Sequence, residues 1–211
     1  MAATLYYAPS TAALVVHWLL IELQVPHELQ ALDFGRREQK SPEYLGLNPA
    51  GVVPTLVLDG EVLTESAAIV LHLADLHPQA RLAPAPGTVE RARYYFWICF
   101  CANTLLPAYR AWFYPDEPAG EAAQVNAKAY ARERIESAWQ RVSDHLEAGG
   151  PYLLGERLSA ADFLLTMLMR WSRNMPRPSD EWPPLRAHAQ RMKARPAFQE
   201  TCRREGITDW L

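Results

Sequence analysis

The sequence predicts a chain of two domains, a small α/β domain followed by an all-helical one. Up to about residue 79, short β-prone runs alternate with apolar runs at helical spacing, which is the pattern of an α/β layer. Residues 78–87 then contain three prolines, which fix φ and block helix continuation. Beyond residue 88 every long segment has helical periodicity. We therefore predict an α/β domain at 1–79, a linker at 80–87 and an all-α domain at 88–211.

In the first domain the predicted element order is β-α-β-α-β-β-α. Pro9 closes the first strand, and Pro26 ends the first helix. The dipeptide Asp59-Gly60 between two β-prone runs is typical of a tight hairpin turn. The predicted elements are strands at 4–7, 28–33, 55–58 and 61–63, and helices at 12–23, 42–47 and 65–77.

In the second domain the periodicity predicts five helices. Pro107 lies near the end of the first of them, where we expect a kink. The sequence Gly149-Gly150-Pro151 ends the second, which is long, charged and rich in alanine. The predicted helices are 88–113, 119–148, 159–175, 183–195 and 197–205.

The composition excludes several classes of protein. With 211 residues, 49% of them hydrophobic and 21% charged, the chain can bury a substantial core. A net charge of −3 provides no excess of cations for nucleic acid. The opening residues contain no basic and apolar leader, and no long apolar run follows. We therefore expect neither secretion nor a membrane span, and the cytoplasm is the expected compartment.

The cysteines and aromatic residues are informative in different ways. The three cysteines, Cys99, Cys101 and Cys202, are odd in number and match no zinc-binding spacing, so we expect neither a disulfide framework nor a metal site. The chain has seven tryptophans and nine tyrosines, and we expect these large aromatic side chains either to pack in a core or to line a pocket.

The first candidate site is the junction between the first strand and the first helix, at Ser10 and Thr11. Backbone N–H groups at a helix N-terminus, reinforced by the helix dipole, stabilise an anion. A hydroxyl there can also donate to a thiolate and lower its pKa. The alternative is that Ser10 or Thr11 is only the N-cap of the helix.

The second candidate is the dipeptide Val53-Pro54, which enters the third strand. If its peptide bond is cis, the N–H and C=O of Val53 are free to pair with an extended peptide ligand. The alternative is an ordinary trans proline at the start of a strand.

The third candidate is Glu65-Ser66, between the hairpin and the third helix. Glu65 can meet an ammonium group, while Ser66 and the local amides meet a carboxylate, so the pair can hold an amino-acid head group. The alternative is again a helix cap, with Thr64 or Ser66 as the capping residue.

In combination these motifs resemble those of the cytosolic glutathione transferases, and the resemblance covers essentially the whole chain. The segment Gly155 to Asp162 is similar to a helix-start motif of that family, in which Ser159 and Asp162 form a capping box. The opening residues and Thr64-Glu65-Ser66 are most similar to bacterial members near the beta class. The motifs that carry the resemblance are strand–Tyr-x-Pro–helix, Asn48-Pro49-x-Gly51-x-Val53-Pro54, Glu65-Ser66 and the proline-rich linker.

The resemblance implies a thioredoxin-like first domain that binds glutathione. The implied glutathione-binding residues are Val53, Pro54, Glu65, Ser66, and either Arg36 or Arg37. Val53 and Pro54, joined by a cis peptide bond, would hold the cysteinyl unit of glutathione. Glu65 and Ser66 would hold the γ-glutamyl head, and one of the two arginines would hold the glycyl carboxylate. A solvated surface is the alternative for both arginines. Tyr7 matches a tyrosine of beta-class members, and its role as a catalytic or a buried strand residue stays open.

The sequence departs from the beta class at two places. Beta-class members carry a cysteine early in the first helix, where this chain has Ala12, so a mechanism through a protein thiol at that site is excluded. The candidate catalytic residues that remain are Ser10, Thr11 and Tyr7. In the first long helix of the second domain those members place a histidine near the sulfur, whereas here the only polar amide is Asn103.

The resemblance also implies that the helical domain supplies the electrophile pocket. Tyr109, Trp112 and Phe113, with Arg110 among them, would form an apolar wall with one cation, suited to a flat or aromatic electrophile. Asn103 is a further candidate residue of this pocket. The alternative is that these aromatic residues pack in the core or in a dimer contact.

The predicted function is that of a glutathione transferase, in which the thiolate of glutathione attacks a small hydrophobic electrophile. The alternatives are a glutathione-dependent isomerase and a non-catalytic protein that binds glutathione or another ligand. The resemblance further implies a cytoplasmic homodimer with a detoxification role, with glutathione as co-substrate and without a metal, nucleic acid or membrane partner.

Overall fold

The computed structural model describes residues 2–210, which form two compact units. The first unit consists of the chain up to Ala83 together with the residues from Lys193 onward, and the second is Pro84–Met192. The first contains a four-stranded sheet with helices, and the second is helical. The predicted fold class, α/β followed by all-α, is confirmed.

The sheet of the first unit has the strand order β2-β1-β3-β4. Strand β1 is parallel to β2, while β3 is antiparallel to both β1 and β4. Along β1 every second residue is buried, since Ala3, Leu5 and Tyr7 face the core, as expected for a pleated strand. The strands are β1 (Ala3–Tyr7), β2 (His27–Ala31), β3 (Thr55–Leu58) and β4 (Glu61–Thr64). The helices within its first 83 residues are α1 (Ala13–Glu22), α2 (Pro42–Leu47) and α3 (Ser66–Leu76).

The second unit is built from helices of very different lengths. Its central helix, α8, is buried along almost its whole length, whereas α7 buries one face and exposes the other. The helices are α4 (Val89–Phe100), α5 (Leu106–Phe113), α6 (Asp116–Ala119), α7 (Gln124–Gly149), α8 (Ala160–Trp171) and α9 (Pro183–Lys193).

A π-helical turn at Cys101–Leu105 separates α4 from α5. The sequence predicts one helix over 88–113 with a kink at Pro107, and the interruption instead takes this wider form. Proline has no N–H to donate to the carbonyl of Asn103, and its ring crowds that carbonyl. The N–H of Leu106 accordingly reaches back five residues to the carbonyl of Cys101. Such turns are frequent at functional sites.

The last helix, α10 (Pro196–Glu205), packs against α1 in the first unit. The sequence predicts that the helical domain extends over 88–211, whereas in the structure the residues from Lys193 onward cluster with the first unit. The two helices run antiparallel. Arg195 pairs with Glu22 at one end, and the ring centroids of Trp18 and Phe198 lie 4.8 Å apart in the middle.

Candidate active site

The sheet topology brings the three candidate motifs of the first domain to one end of the sheet. Tyr6 of β1 is paired with Thr55 of β3, which is in turn paired with Thr64 of β4. Because β1, β3 and β4 alternate in direction, the chain leaves β1, enters β3 and leaves β4 at the same edge. The segments found there are 8–11, 53–54 and 65–66, whose outermost residues lie 58 positions apart in the sequence.

The turn between β1 and α1 is held by the side chain of Thr11. Its Oγ1 donates to the carbonyl of Ala8 at 2.7 Å and accepts from the N–H of Ala13 at 3.3 Å. This is the hydrogen bonding of a capping residue. Ser10 has a φ of 64°, a left-handed conformation that costs a non-glycine residue about 1–2 kcal/mol. The turn therefore needs support from elsewhere in the fold.

That support comes from Glu205 at the end of α10. The N–H of Ser10 donates to Oε2 of Glu205 at 3.1 Å. The Nδ1 of His17 lies 2.9 Å from Oε1 of the same carboxylate and donates to it, and both side chains are fully buried. Neither residue is predicted from the sequence to belong to a site. A pattern that indicates Glu205 does exist, because it follows Phe198 and Cys202 at helical spacing on the apolar face of α10.

Tyr7 lies at the end of β1, and its ring centroid is 5.9 Å from that of His17. The residue is only 8% exposed. Burial, together with the negative charge of Glu205, raises the pKa of the Tyr7 phenol above its ordinary value. Tyr7 is therefore neutral at physiological pH and can act only as a neutral hydrogen-bond partner.

The Val53-Pro54 peptide bond is cis. Just before it, the carbonyl of Val52 accepts from the hydroxyl of Tyr44 at 2.6 Å and from Nδ2 of Asn48 at 2.8 Å. Both donors also bond to the Thr55 hydroxyl, which fixes the entry into β3. Within residues 2–210 no hydrogen bond uses the N–H or C=O of Val53. This short backbone edge can pair with an extended ligand.

A cation that is not predicted from the sequence, Lys40, lies beside this loop. The ammonium group of Lys40 donates to the carbonyl of Ala50 at 3.0 Å. Gly51 next to it has a φ of 61°, and a side chain there would meet the carbonyl of Gln39 at 2.8 Å. Only glycine permits so close an approach.

The two arginines named for the glycyl carboxylate lie on the surface. The side chain of Arg36 is 78% exposed, and its Nη1 lies 3.5 Å from Oε1 of Glu38. Arg37 is exposed and has a left-handed backbone at the start of a short 3₁₀ turn.

At the start of α3 the backbone of Glu65 has φ 66° and ψ 106°, and no side chain caps the helix. Neither Thr64 nor Ser66 therefore acts as the predicted cap. Ser66 is buried, whereas the carboxylate of Glu65 is exposed. Non-glycine residues with a positive φ cluster at ligand sites. The uncapped helix start has N–H groups available to an anion.

The candidate pocket residues of the second unit have different environments. Tyr109 is fully buried, and its hydroxyl accepts from Nε1 of Trp139 at 3.2 Å, so it can support a pocket wall only from behind. Phe113 stacks on Tyr109 and is 47% exposed. Trp112 is half-buried beneath the ammonium group of Lys128, and Asn103 is exposed on the π-helical turn.

Metal-ligand clusters and membrane-spanning helices are both absent from the part of the chain that the structure describes. Residues 2–210 contain no group of three or more His, Cys, Asp or Glu side chains arranged to hold a metal ion. Over the same range, no helix combines the length and apolar character needed to cross a bilayer.

The fold and the geometry of this sheet edge define a thioredoxin-like domain joined to a helical domain, and comparison with known proteins agrees. Residues 9–76 match the N-terminal domain of glutathione S-transferases, and residues 103–200 match the C-terminal domain. The glutathione S-transferase GST-4.5 of Xanthomonas campestris is 33% identical over 96% of this chain and 98% of its own length. The chain belongs to the glutathione S-transferase family.

Two further comparisons bear on the site. The solved structure of a glutathione transferase homologue from Sulfitobacter, with bound glutathione, has a TM-score of 0.89 and 28% identity, and the match covers 98% of this chain and 99% of that one. A probable maleylacetoacetate isomerase from Vibrio cholerae is 30% identical over 95% of both chains. The predicted fold, and the prediction of a glutathione S-transferase enzyme, are confirmed at the level of the family.

Proposed function

We propose that this protein binds glutathione at the sheet edge of the first unit and transfers its thiolate to a small hydrophobic electrophile. The observation that carries the proposal is the unpaired N–H and C=O of Val53, which lie at the same edge as the uncapped start of α3. An extended tripeptide that pairs with Val53 through its cysteinyl unit would direct its γ-glutamyl end towards that helix. The bound glutathione of the Sulfitobacter homologue supports this ligand.

The start of α3 suits an amino-acid head group. The exposed carboxylate of Glu65 would bind the ammonium, while the Ser66 hydroxyl and the free amides of α3 would bind the carboxylate. For the glycyl carboxylate, Lys40 is a better candidate than Arg36 or Arg37. Its ammonium group is already held beside the loop that carries Val53, whereas the arginine side chains are solvated.

The sulfur would lie at the turn between β1 and α1. Lowering a thiol pKa from about 8.5 to near neutrality requires about 2 kcal/mol. Thr11 already donates its hydroxyl proton to the Ala8 carbonyl. The N–H groups of Ala13 and Leu14 donate to Thr11, so the candidates to stabilise the thiolate are the Ser10 hydroxyl, the N–H groups of Thr11 and Ala12 just before α1, and the neutral phenol of Tyr7. This departs from the beta class, because the aligned position is Ala12 instead of cysteine.

In the transfer step the thiolate forms a C–S bond, and the displaced group, for example chloride, leaves with the bonding electrons. Phe113 and Trp112 would contribute an apolar surface for the electrophile, with Tyr109 behind them. The relative from Vibrio cholerae named as a probable isomerase favours a second candidate, in which glutathione adds to the substrate and leaves again unchanged. A non-catalytic binding role is the third. We further propose a cytoplasmic homodimer related to the bacterial beta class.

The first test is calorimetric titration of glutathione into the protein and its Glu65→Gln variant. Loss of the ion pair with the γ-glutamyl ammonium removes a charge-assisted interaction of about 1.5–3 kcal/mol, so we expect Kd to rise roughly 10- to 100-fold. Glu61→Gln, in the same hairpin at the far end of β4, is the matched control and should bind like the wild type. Absence of binding by the wild type at millimolar glutathione would refute the proposal.

Stoichiometry then separates the three functions. A transferase consumes one glutathione for each activated chloroarene converted. An isomerase changes the geometry of a cis-configured unsaturated diacid and leaves the glutathione concentration constant. A binding protein does neither, although it still binds glutathione.

A further inference from the structure

The contact between the end of α10 and the start of α1 has no role in the function proposed so far. Glu205 is the last residue of α10, where the helix dipole disfavours a negative charge, and Arg203 and Arg204 beside it match that dipole better. Its carboxylate instead points at the positive N-terminal end of α1. The position of Glu205 is therefore explained by what it holds in α1 and not by the stability of its own helix.

The carboxylate joins two elements of the candidate site. One oxygen accepts from the N–H of Ser10 in the turn, and the other accepts from Nδ1 of His17, one helical turn into α1. Both the glutamate and the histidine side chains are fully buried. A buried carboxylate is tolerated only when its oxygens are paired. The two hydrogen bonds therefore hold the Glu205 carboxylate in a single orientation.

The turn that Glu205 holds is the one where the sulfur of glutathione would lie. Ser10 has a left-handed backbone that an L-residue rarely adopts without an external constraint. The Ser10 hydroxyl belongs to this turn, and the N–H groups of Thr11 and Ala12 follow directly along the chain. Any rotation of the turn would redirect all of these donors together.

We propose that Glu205 is a positioning residue, which fixes the Ser10 turn through its N–H and thereby aims the groups that stabilise the glutathione thiolate. His17 holds the carboxylate in place from α1. This inference rests on the proposed function, since it assigns the thiolate to this turn. Glu205 itself need not contact glutathione.

A purely electrostatic role makes the opposite prediction, which allows a sharp test. If Glu205 acted only as a nearby negative charge, its removal would favour the thiolate and lower the pKa of bound glutathione. If it positions the turn, its removal misdirects the donors and raises that pKa. Ultraviolet titration of the bound thiol distinguishes the two directions.

The experiment uses Glu205→Ala, which removes both hydrogen bonds, and the isosteric Glu205→Gln, which protects against loss of folding. Glu200→Gln is the matched control, because Glu200 lies on the same helix and pairs only with surface arginines. We expect kcat to fall about tenfold in Glu205→Ala and less in Glu205→Gln, with KM for glutathione within about twofold. The bound thiol pKa should rise in Glu205→Ala, which loses the acceptor for the Ser10 N–H, and stay constant in the control.

Amide hydrogen exchange at Ser10 gives a readout that needs no glutathione, and it should accelerate in Glu205→Ala. If the wild type fails to bind glutathione, the proposed function is wrong, and the exchange rate alone decides whether Glu205 holds the turn. If the wild type binds but both variants keep its kcat and thiol pKa, Glu205 is merely structural and this inference is overturned.

Discussion

Tyr7 shows how its surroundings restrict the chemistry of a single residue. Burial first, and the charge of Glu205 second, raise the pKa of its phenol, so Tyr7 cannot serve as a base near neutral pH. In the proposed reaction Tyr7 would contribute a neutral hydrogen bond, worth about 0.5–1.5 kcal/mol. We expect Tyr7→Phe to lower kcat roughly 2- to 12-fold and to leave the pH dependence of kcat between pH 6 and 9 unchanged.

Steady-state kinetics across this pH range test the prediction. Tyr6→Phe removes a hydroxyl from the adjacent residue, whose side chain points to the other face of β1, and should have no comparable effect. Disappearance of an alkaline limb of the profile in Tyr7→Phe alone would show that the phenol ionises during turnover, contrary to the raised pKa.

Candidate site residues that stand at a local sequence signal could be proposed from the sequence, whereas a residue that depends on distant contacts could not. Val53-Pro54 and Glu65-Ser66 stand next to strand and helix boundaries that the sequence pattern reveals. Glu205, by contrast, reaches Ser10 across 195 positions of the chain. Nothing in either neighbourhood indicates the other, apart from an acidic residue on an apolar helix face.

Helix α8 shows an element whose start could be predicted in detail. The predicted capping box is present, with Ser159 and Asp162 bonded to each other's backbone. The structure adds two further donors to the fully buried Asp162 carboxylate, the N–H of Leu153 at 2.8 Å and Nε2 of His188 at 3.1 Å. Asp162 therefore links three segments of the second unit.

This linkage predicts unequal effects of two substitutions at one cap. Ser159→Ala loses a capping hydroxyl, at a cost of about 1 kcal/mol in the free energy of unfolding. Asp162→Ala leaves several buried donors unpaired, and we expect a loss of about 3 kcal/mol or more. Urea denaturation measures both, with the exposed Ser137→Ala on α7 as control. Equal losses for the two variants would show that the network beyond the cap contributes nothing.

The boundaries of helices and strands were predictable where a residue determines the conformation of the turn that contains it. They were less predictable elsewhere. Asp59-Gly60 forms the expected hairpin. Pro107 acts through the carbonyl of Asn103, and the helix responds with a π-helical turn at 101–105, which periodicity alone cannot distinguish from a kink. The start of α7 at Gln124 follows a short 3₁₀ turn in place of the helix predicted from residue 119.

At the scale of the whole molecule, the order of α/β and helical segments predicted the fold class, but not the unit to which α10 belongs. Its apolar face, with Phe198, Thr201 and Cys202, fits any partner of matching shape. Only the tertiary contacts with Trp18, Glu22 and His17 on α1 select the first unit. Helical periodicity identifies a face to bury without identifying its partner.

Buried phenol and thiol groups in the two units make the free energy of unfolding sensitive to alkaline pH. Burial raises the pKa of Tyr7 and Tyr44 in the first unit, and of Cys101 and Tyr109 in the second. A raised folded-state pKa gives stability that is complete below the unfolded pKa. That stability is lost at higher pH, because the unfolded chain ionises while the folded chain does not.

The unfolded pKa is about 8.5 for a thiol and about 10 for a phenol, so Cys101 in the second unit sets the first loss. Between pH 8.5 and 10 we expect the free energy of unfolding to fall by about 2 kcal/mol, since each unit of pKa difference corresponds to about 1.4 kcal/mol. Cys101→Ala should flatten this slope, although the cavity it creates lowers stability equally at every pH. Cys99→Ala, two residues away on the exposed face of α4, should retain the wild-type slope. Urea denaturation at closely spaced pH values separates the slope of the free energy of unfolding against pH from the constant loss caused by the cavity. Equal slopes in the two variants would mean that the Cys101 thiol ionises as readily in the folded protein as in the unfolded chain.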